Sequence, residues 1–240
     1  MKPERLDKLL AAQSTFSRKD VKAMVRKGLV SVNGLVVKSA DLKIDMEKDK
    51  VSLCGEPVSI SKYSYIMMNK PAGVVSATRD NRERTVIDLV PQELLRDGLF
   101  PAGRLDKDTV GFLLITNDGD FAHRILSPKN HVPKTYIAQL DQPIDEEIMV
   151  KFEEGFALDL NTDCKPARLK ILETGKRELV EVILIEGMYH QIKRMFEHFG
   201  RKVVHLQRIR MGALYLDESL APGECRELTQ DELKQITTKI

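Results

Sequence analysis

Two aspartates, Asp106 and Asp108, lie where polar side chains are densest in the chain. The segment runs Gly103-Arg-Leu-Asp-Lys-Asp-Thr-Val-Gly, continues as the apolar run Phe-Leu-Leu-Ile and ends at Thr-Asn-Asp-Gly. A calcium-binding loop needs oxygen ligands at positions 1, 3, 5 and 12. Counted from Asp106, position 5 is Val110, which has no side-chain oxygen. The spacing therefore argues against a calcium site.

Three other interpretations of these carboxylates stay open on the residues alone. Asp106 and Asp108 can act as a pair in a hydrolase, which needs two carboxylates whose pKa values differ. They can also be turn residues whose carboxylates accept hydrogen bonds from nearby backbone amides. In the third interpretation, Asp106 is a single nucleophile or base held beside Arg104.

Basic residues are concentrated in two parts of a chain whose net charge is only +2. Residues 1–30 contain 8 Lys and Arg against 3 Asp and Glu, and residues 188–212 contain 6 against one, so each stretch has a local charge of +5. Such clusters suit contacts with nucleic-acid phosphates. For either stretch alone, a solvated helix face is an equally good interpretation.

The composition indicates a folded chain of one large or two unequal domains. Of its 240 residues, 42% are apolar and 31% charged, which supports a core and argues against disorder. No apolar run approaches the roughly 18 residues of a membrane span, and the N-terminus has no apolar signal core. Cys54, Cys164 and Cys225 are far apart, so neither a disulfide framework nor a zinc knuckle is expected. We therefore expect a cytoplasmic protein with no membrane partner.

The elements that must carry the first basic stretch form a small helical unit. A first helix is predicted by apolar residues at i, i+3 and i+4, which are Leu6, Leu9 and Leu10. Ser17, with Asp20 three residues on, predicts the capped start of a second helix, and Gly28 predicts its end. Asn33-Gly34 between two apolar runs predicts a hairpin, and a short strand is expected at 51–53.

The second helix places its basic residues mainly on the side away from its apolar ones. These residues are Arg18, Lys19, Lys22 and Arg26. The order helix, basic helix, hairpin, with Arg5-Leu-Asp-Lys-Leu-Leu and Val30-x-Val-Asn-Gly, resembles the S4 RNA-binding domain. The resemblance implies that the four residues contact an RNA backbone, where charge neutralisation supplies most of the affinity.

Residues 54–62 have the composition of a linker, so we place an RNA-binding domain at 1–60 and a catalytic domain at 61–240. Strands are predicted at 65–70, 111–116, 135–140, 168–172 and 179–185. Helices are predicted at 85–90, 121–126, 146–153 and 190–199. The chain shows no regular βαβ rhythm and no internal repeat. The pattern predicts an α+β fold, with a mixed, largely antiparallel sheet flanked by helices.

The loop around Asp106 is part of a longer pattern. Gly103-Arg-Leu-Asp-x-Asp-Thr-x-Gly, followed by Leu-x-Thr-Asn-Asp-Gly, resembles the RsuA-type pseudouridine synthases. Further features of that family occur in its order: Asn69-Lys-Pro-x-Gly, Lys134-Thr-Tyr, Glu186-Gly-x-Tyr-His-Gln-Ile-Lys-Arg-Met and Leu220-x-Pro-Gly. With the S4-like segment, the resemblance covers nearly the whole chain.

The resemblance implies isomerisation of a uridine within RNA, with Asp106 as the essential carboxylate. Asp106 either attacks the base or sugar, or abstracts a sugar proton. Lys193 is the implied cation that keeps this carboxylate charged, with Arg194 as a second candidate, and the alternative for both is an RNA phosphate contact. His190 and Gln191 are expected to shape the late loop rather than to act in catalysis.

Two further residues have implied roles in holding a flipped base. Tyr136 packs against the base, unless it is simply a tyrosine of the strand core. Arg104 fills the space that the base vacates or binds a phosphate, unless it pairs with Asp106 or Asp108. No cofactor or metal is expected, because nothing enters or leaves in the reaction and no phosphate-binding, dinucleotide or metal motif occurs in the sequence.

The segment Ser127-Pro-Lys-x-His resembles the branch of the family that acts on the small ribosomal subunit. We therefore expect a monomer that modifies 16S rRNA at the uridine numbered 516, with ribosomal RNA or the assembling small subunit as its partner. The alternatives are a large-subunit rRNA pseudouridine synthase of the same family and a non-catalytic RNA-binding ribosome-assembly protein.

Overall fold

The structure, a computed structural model, describes residues 3–12, 16–46, 48–58, 61, 63–127, 132–174 and 178–238. The chain divides into two compact units. The first comprises Met1–Ser64 and Pro91–Leu99, and the second Tyr65–Val90 and Phe100–Ile240. Within the described ranges, none of the helices combines the length and the apolar character that a bilayer span requires.

The first unit contains two helices and two small antiparallel sheets. Its elements are β1 (Glu4–Arg5), α1 (Leu6–Ala12), α2 (Arg18–Arg26), β2 (Val30–Val32), β3 (Leu35–Val36), β4 (Lys43–Ile44), β5 (Val51–Leu53) and β6 (Glu56–Val58). One sheet has the strand order β3-β2-β5-β6, and the other pairs β1 with β4.

Local sequence signals explain the ends of these elements. The Ser17 side chain accepts from the Asp20 amide, and the Asp20 side chain accepts from the Ser17 amide, so the predicted start of α2 is confirmed as a capping box. The hairpin at Asn33-Gly34 is also confirmed, with φ of 52° and 81°, values that a two-residue hairpin turn requires. The core of this unit includes Leu6, Leu10 and Val21, all at most 2% exposed.

The second unit is built on one nine-stranded sheet. The strands of this unit are β7 (Tyr65–Lys70), β8 (Phe100–Pro101), β9 (Val110–Thr116), β10 (Lys134–Leu140), β11 (Phe156–Asp159), β12 (Thr162–Cys164), β13 (Arg168–Glu173), β14 (Glu178–Leu184), β15 (Val203–Met211), β16 (Leu214–Tyr215) and β17 (Cys225–Glu227). Strands β11 and β12 form a separate hairpin, and the other nine form the sheet. Its helices are α3 (Gly119–Leu126), α4 (Glu146–Glu154), α5 (Gln191–His198) and α6 (Gln230–Thr237), with a 3₁₀ turn at Ile87–Leu89.

The main sheet has the strand order β13-β14-β10-β15-β9-β7-β17, with β16 paired to β15 and β8 to β9. All pairs are antiparallel except β15 with β9, which is parallel. The predicted mixed, largely antiparallel sheet is therefore confirmed. Phe112 and Leu114 of β9 share a buried core with Phe121 of α3 and Ile236 of α6, so helices cover this part of the sheet.

The structure corrects three predictions about local elements. Residues 54–62 are not simply a linker, because Cys54-Gly55 makes a turn and β6 pairs with β5. Residues 85–90 contain only the 3₁₀ turn rather than an α-helix. The basic stretch 188–212 includes a central strand, β15, that was not predicted from the sequence, and its exposed and buried residues do not alternate cleanly.

Candidate active site

The loop with Asp106 lies between β8 and β9, and the end of β7 holds it in place. The buried ammonium of Lys70 donates to the backbone carbonyls of Pro71, Asp106, Lys107 and Thr109, at 3.0, 3.1, 3.3 and 2.9 Å. Burial is the main reason that the pKa of Lys70 is lowered, to about 8, although the charges of Asp108 and Asp106 oppose this shift. The carbonyl dipoles thus replace the water that a buried cation loses.

The segment after Lys70 adds two more anchors to the loop. The backbone N–H of Gly73 donates to the Lys107 carbonyl at 2.8 Å. Ser76 Oγ donates to the Leu105 carbonyl at 2.8 Å and accepts from the Leu105 amide at 3.0 Å. These contacts give Asn69-Lys-Pro-x-Gly a physical role, which is to fix the backbone on both sides of Asp106. Lys70 and Ser76 had no assigned role in the sequence analysis, and the signal for Lys70 was a lysine at the end of an apolar strand.

Gly111, at the start of β9, allows the close approach of two strands. It has φ of +96°, and a Cβ on it would lie 2.3 Å from the Arg208 carbonyl oxygen. Any other residue would therefore push β9 away from β15, and the Asp106 loop would move with it.

The Asp106 carboxylate faces two side chains of the late motif. Oδ2 lies 3.2 Å from Lys193 Nζ on α5, and Oδ1 lies 3.4 Å from His190 Nε2. Asp106 and Lys193 side chains are each 23% exposed, so the pair is partly shielded from water. His190 was expected to shape the late loop, and the structure also places its ring beside the carboxylate.

Asp108 shares the same lysine. Its Oδ1 lies 2.5 Å from Lys193 Nζ, although its side chain is 74% exposed. The hydrogen bond from Lys193 lowers the pKa of Asp108. Burial alone would lower the pKa of Lys193, but the hydrogen bonds and charges of Asp108 and Asp106 outweigh it, and the pKa is raised. Asp108 is therefore more than a turn residue, because it helps to keep Lys193 protonated.

A cavity of about 60 Å³ opens beside Asp106. Its lining includes Arg104, Asp106, Tyr136, His190, Lys193 and Leu206. Arg104 is exposed and, within the described part of the chain, forms no ion pair with Asp106 or Asp108. It can therefore swing without breaking a salt bridge.

The sheet register brings Tyr136 to this cavity. Tyr136 of β10 is opposite Arg208 of β15, and Arg208 is opposite Gly111 of β9. The Tyr136 side chain is buried at 8% exposure, and its hydroxyl is 3.5 Å from the Arg208 guanidinium NH1. Arg208 is itself held by the Phe112 carbonyl, which accepts from its Nε at 2.7 Å. A fixed aromatic ring is thus available on one wall of the cavity.

The late loop before α5 is shaped as predicted by Gln191, which donates to Glu186 at 2.9 Å and accepts from the Met188 amide at 3.1 Å. His190 has φ of 49°, and its ring stacks on Tyr189 with centroids 3.8 Å apart. This backbone conformation, uncommon for a residue with a side chain, turns the histidine toward Asp106.

The remaining basic residues of the prediction lie elsewhere. Arg194 donates to Asp159 at 2.6 Å rather than to Asp106. In the first unit all four basic residues of α2 are exposed, and two of them, Arg18 and Lys22, lie near Asp7. Of the family segment 127–131, residues 128–131 lie outside the described residues.

Comparison with known proteins agrees with this geometry. The sequence pattern of the family described as RNA pseudouridylate synthase matches residues 64–198, and that of the S4 domain matches residues 4–51. An RNA pseudouridine synthase of Bacillus subtilis (strain 168) is 49% identical over 230 residues, which are 95% of this chain and 96% of that protein.

Two further relatives cover nearly the full length. Ribosomal small subunit pseudouridine synthase A of Escherichia coli (strain K12) is 39% identical over 97% of this chain and 99% of its own. A crystal structure of a pseudouridylate synthase has a TM-score of 0.67 and 39% identity, over 97% of this chain and 99% of that chain. With the family's sequence pattern over residues 64–198, an N-terminal S4 domain and relatives that match nearly its full length, the chain belongs to the RNA pseudouridylate synthase family and is an isomerase.

Proposed function

We propose that the protein converts one uridine of 16S rRNA to pseudouridine, with Asp106 as the essential carboxylate. The observation that carries the proposal is the contact of Asp106 with Lys193 at 3.2 Å, in a cavity that Tyr136 also lines. A non-catalytic RNA-binding protein has no need of a shielded carboxylate, its cation and a base-stacking ring at one place.

The reaction breaks the N1–C1′ glycosidic bond, turns the uracil over and joins C5 to C1′. Asp106 acts either by attack on the base or sugar or by removal of a sugar proton, and both roles need the ionised carboxylate. Lys193 supplies the positive charge that favours this form. C5 loses a proton and N1 gains one, so the net composition is unchanged. Asp106 and the nearby His190 are the two candidates to accept the C5 proton.

The uridine must leave its stack to reach Asp106, at a cost of a few kcal/mol. Tyr136 offers its ring to the flipped base, which repays part of that cost. Arg104, exposed at the rim, occupies the vacated space or binds a phosphate. We assign RNA binding to residues 1–60, through Arg18, Lys19, Lys22 and Arg26, with Arg194 as a further RNA contact, and catalysis to residues 61–240.

The choice of the small subunit is supported by the E. coli relative, which is named for that subunit and matches over 97% of this chain. In this proposal the protein is a cytoplasmic monomer, and its substrate is either free 16S rRNA or the assembling small subunit. The modified uridine is the one numbered 516.

The test is conversion of uridine in purified 16S and 23S rRNA transcripts and in assembling small-subunit particles, with pseudouridine mapped by chemical sequencing. A single modified position in 16S rRNA is expected, and Asp106→Asn protein should give none. Modification of 23S rRNA alone would assign the enzyme to the large subunit. Tight binding to 16S rRNA without conversion on any of these substrates would favour the ribosome-assembly protein.

A further inference from the structure

The first unit contains a buried carboxylate that the chemistry at Asp106 does not use. Asp7 is in the first turn of α1, and its side chain is 0% exposed. Its backbone N–H donates to the Ala40 carbonyl at 2.8 Å, which fixes the residue within the fold. A buried charge is costly unless it is paired and hydrogen-bonded, so the partners of Asp7 indicate what it does.

Three cations surround this carboxylate. Arg5 donates through Nε and NH2 to the two oxygens at 3.0 and 3.1 Å, as a fork. Arg18 NH2 lies 3.1 Å from each oxygen. Lys22 Nζ, one turn later on α2, lies 3.9 Å from Oδ2. The hydrogen bonds from Arg5 are the main cause of a pKa of about 2 for Asp7, with Arg18 adding to them against the effect of burial.

The cations of this group face outward although the carboxylate does not. The side chains of Arg5, Arg18 and Lys22 are 45%, 53% and 49% exposed. Three nearby acids have other partners. Glu4 pairs with Lys8 at 3.0 Å, Asp20 caps α2 through Ser17, and Asp41, whose charge also acts on Arg5, accepts from Ser39 Oγ. The group therefore presents three positive charges around one hidden negative charge.

We propose that Asp7 is a positioning residue that assembles Arg5, Arg18 and Lys22 into a phosphate-binding site for the RNA backbone, the Asp7 cluster. The inference rests on the proposed function in that the ligand is substrate RNA. It adds Arg5 to the RNA contacts, and it ranks Arg18 and Lys22 above Lys19 and Arg26, for which the described structure shows no contact with Asp7.

The physical reason is preorganisation. Long basic side chains lose rotamer freedom when they bind a phosphate, and that loss weakens binding. Asp7 orders them in the free protein instead. An arginine has five N–H donors, so Arg5 keeps donors for a phosphate after two of them bind Asp7. The planar fork also matches phosphate oxygens in pairs.

Asp7→Asn in the full-length protein separates this role from simple attraction. The substitution raises the net charge by one, so electrostatics alone predicts tighter RNA binding. If Asp7 positions the cations, binding of a 16S rRNA transcript should weaken by about tenfold, roughly the effect of one charge-assisted hydrogen bond. In turnover assays, the KM for RNA should rise more than kcat falls.

Single substitutions of exposed cations provide a second test that does not depend on removing a buried group. Arg5→Gln and Arg18→Gln should each weaken binding more than Lys19→Gln or Arg26→Gln, although each removes one charge. Lys38→Gln, an exposed residue of the same unit, is the matched control. Asp7→Asn added to the Arg5→Gln, Arg18→Gln double variant should cause little further loss, because its effect acts through those two residues.

Binding by folded Asp7→Asn protein that equals or exceeds that of the unsubstituted protein would overturn the inference. Equal losses of RNA affinity in the Gln variants of Arg5, Arg18, Lys19 and Arg26 would also overturn it. If Asp7→Asn protein does not fold, the comparison of these four variants decides the question. The unsubstituted protein, assayed on the same transcript, keeps the two proposals apart: if it converts uridine while the Asp7 cluster has no effect on binding, only the present inference fails.

Discussion

Lys193 Nζ lies 3.2 Å from Oδ2 of Asp106, and this contact joins the loop before β9 to the helix α5. Each residue is 23% exposed, so water screens the pair less than it would on the open surface. The same ammonium also binds Asp108 at 2.5 Å. One cation thus serves two carboxylates that differ in exposure, and the two should respond differently to substitution.

Asp106→Asn should reduce conversion to less than a few per cent and leave RNA binding largely intact, because the amide keeps the size and loses the carboxylate chemistry. Asp108→Asn should reduce conversion less, since Asp108 is 74% exposed and the contact between Lys193 and Asp106 remains in this variant. Single-turnover assays and binding titrations on the same rRNA transcript measure both. A larger loss of conversion in Asp108→Asn than in Asp106→Asn would mean that Asp108, and not Asp106, is the essential carboxylate.

Lys193→Met should lower kcat by about 10²-fold, the usual effect of removing a preorganised charged group at an active site. It should also raise the pKa of Asp108 toward its ordinary value, because the hydrogen bond from Lys193 is the main cause of the lowered pKa. NMR titration of the aspartate carboxyl carbons follows the second effect. The kcat of Lys193→Arg, which keeps the charge, should lie between that of the unsubstituted protein and that of Lys193→Met.

Tyr136→Phe should retain more activity than Tyr136→Ala. The ring supplies the stacking, worth roughly 1–3 kcal/mol per base, whereas the contact of the hydroxyl with Arg208 is long, at 3.5 Å. Conversion rates at saturating RNA and thermal stability should be measured together, because Tyr136 is also buried. An equal collapse of activity in two folded variants would assign the function to the hydroxyl.

Lys70→Met should destabilise the protein by about 2 kcal/mol or more, since buried carbonyls left without a donor cost about 1–3 kcal/mol each. Conversion should fall as well, because two of the four carbonyls belong to Asp106 and Lys107 of the catalytic loop. Lys107→Met is the matched control. Its ammonium pairs with Glu83 at 2.8 Å on the surface, so stability should change by less than about 1 kcal/mol. Thermal unfolding compares the two.

Lys134→Met tests a buried cation with a single described acceptor, the Val132 carbonyl at 3.1 Å. Burial, and then the charge of Arg208, lowers the pKa of Lys134 to about 8. Between that value and the unfolded pKa of about 10.4, the unfolded chain binds more protons, so the contribution of Lys134 to stability rises with pH. Methionine lacks this dependence.

The free energy of unfolding of the unsubstituted protein, relative to the Lys134→Met variant, should therefore increase from about pH 8 to about pH 10.4. At pH 7 the variant should be at least as stable, because it no longer buries one positive charge beside another. Urea unfolding across this range gives the difference directly. A difference that is flat with pH would mean that Lys134 titrates as it does in the unfolded chain.

Much of the first unit follows from its sequence because its signals are local. Ser17 and Asp20 cap a helix through neighbours in the chain, and the pair Asn33-Gly34 strongly favours the two left-handed conformations that a hairpin turn needs. Five strands of the second unit, β7, β9, β10, β13 and β14, and the mixed sheet were also predicted, since apolar runs mark buried strands in any arrangement. The central strand β15 was not. The identity of the candidate carboxylate came from the family resemblance, as spacing alone left three interpretations open.

Tertiary structure decided which side chains meet. Asp106 meets Lys193 and His190 only because the fold brings α5 and the late loop to the loop before β9. Tyr136 reaches the same cavity through the register of β10, β15 and β9. The role of Lys70 as an anchor of the Asp106 loop likewise became visible only in the structure, where its ammonium donates to four backbone carbonyls. The sequence determines the types of residue and the local turns, because these depend on neighbours along the chain. Ion pairs and buried hydrogen bonds between distant residues depend on strand order, and strand order is set by the packing of the whole sheet.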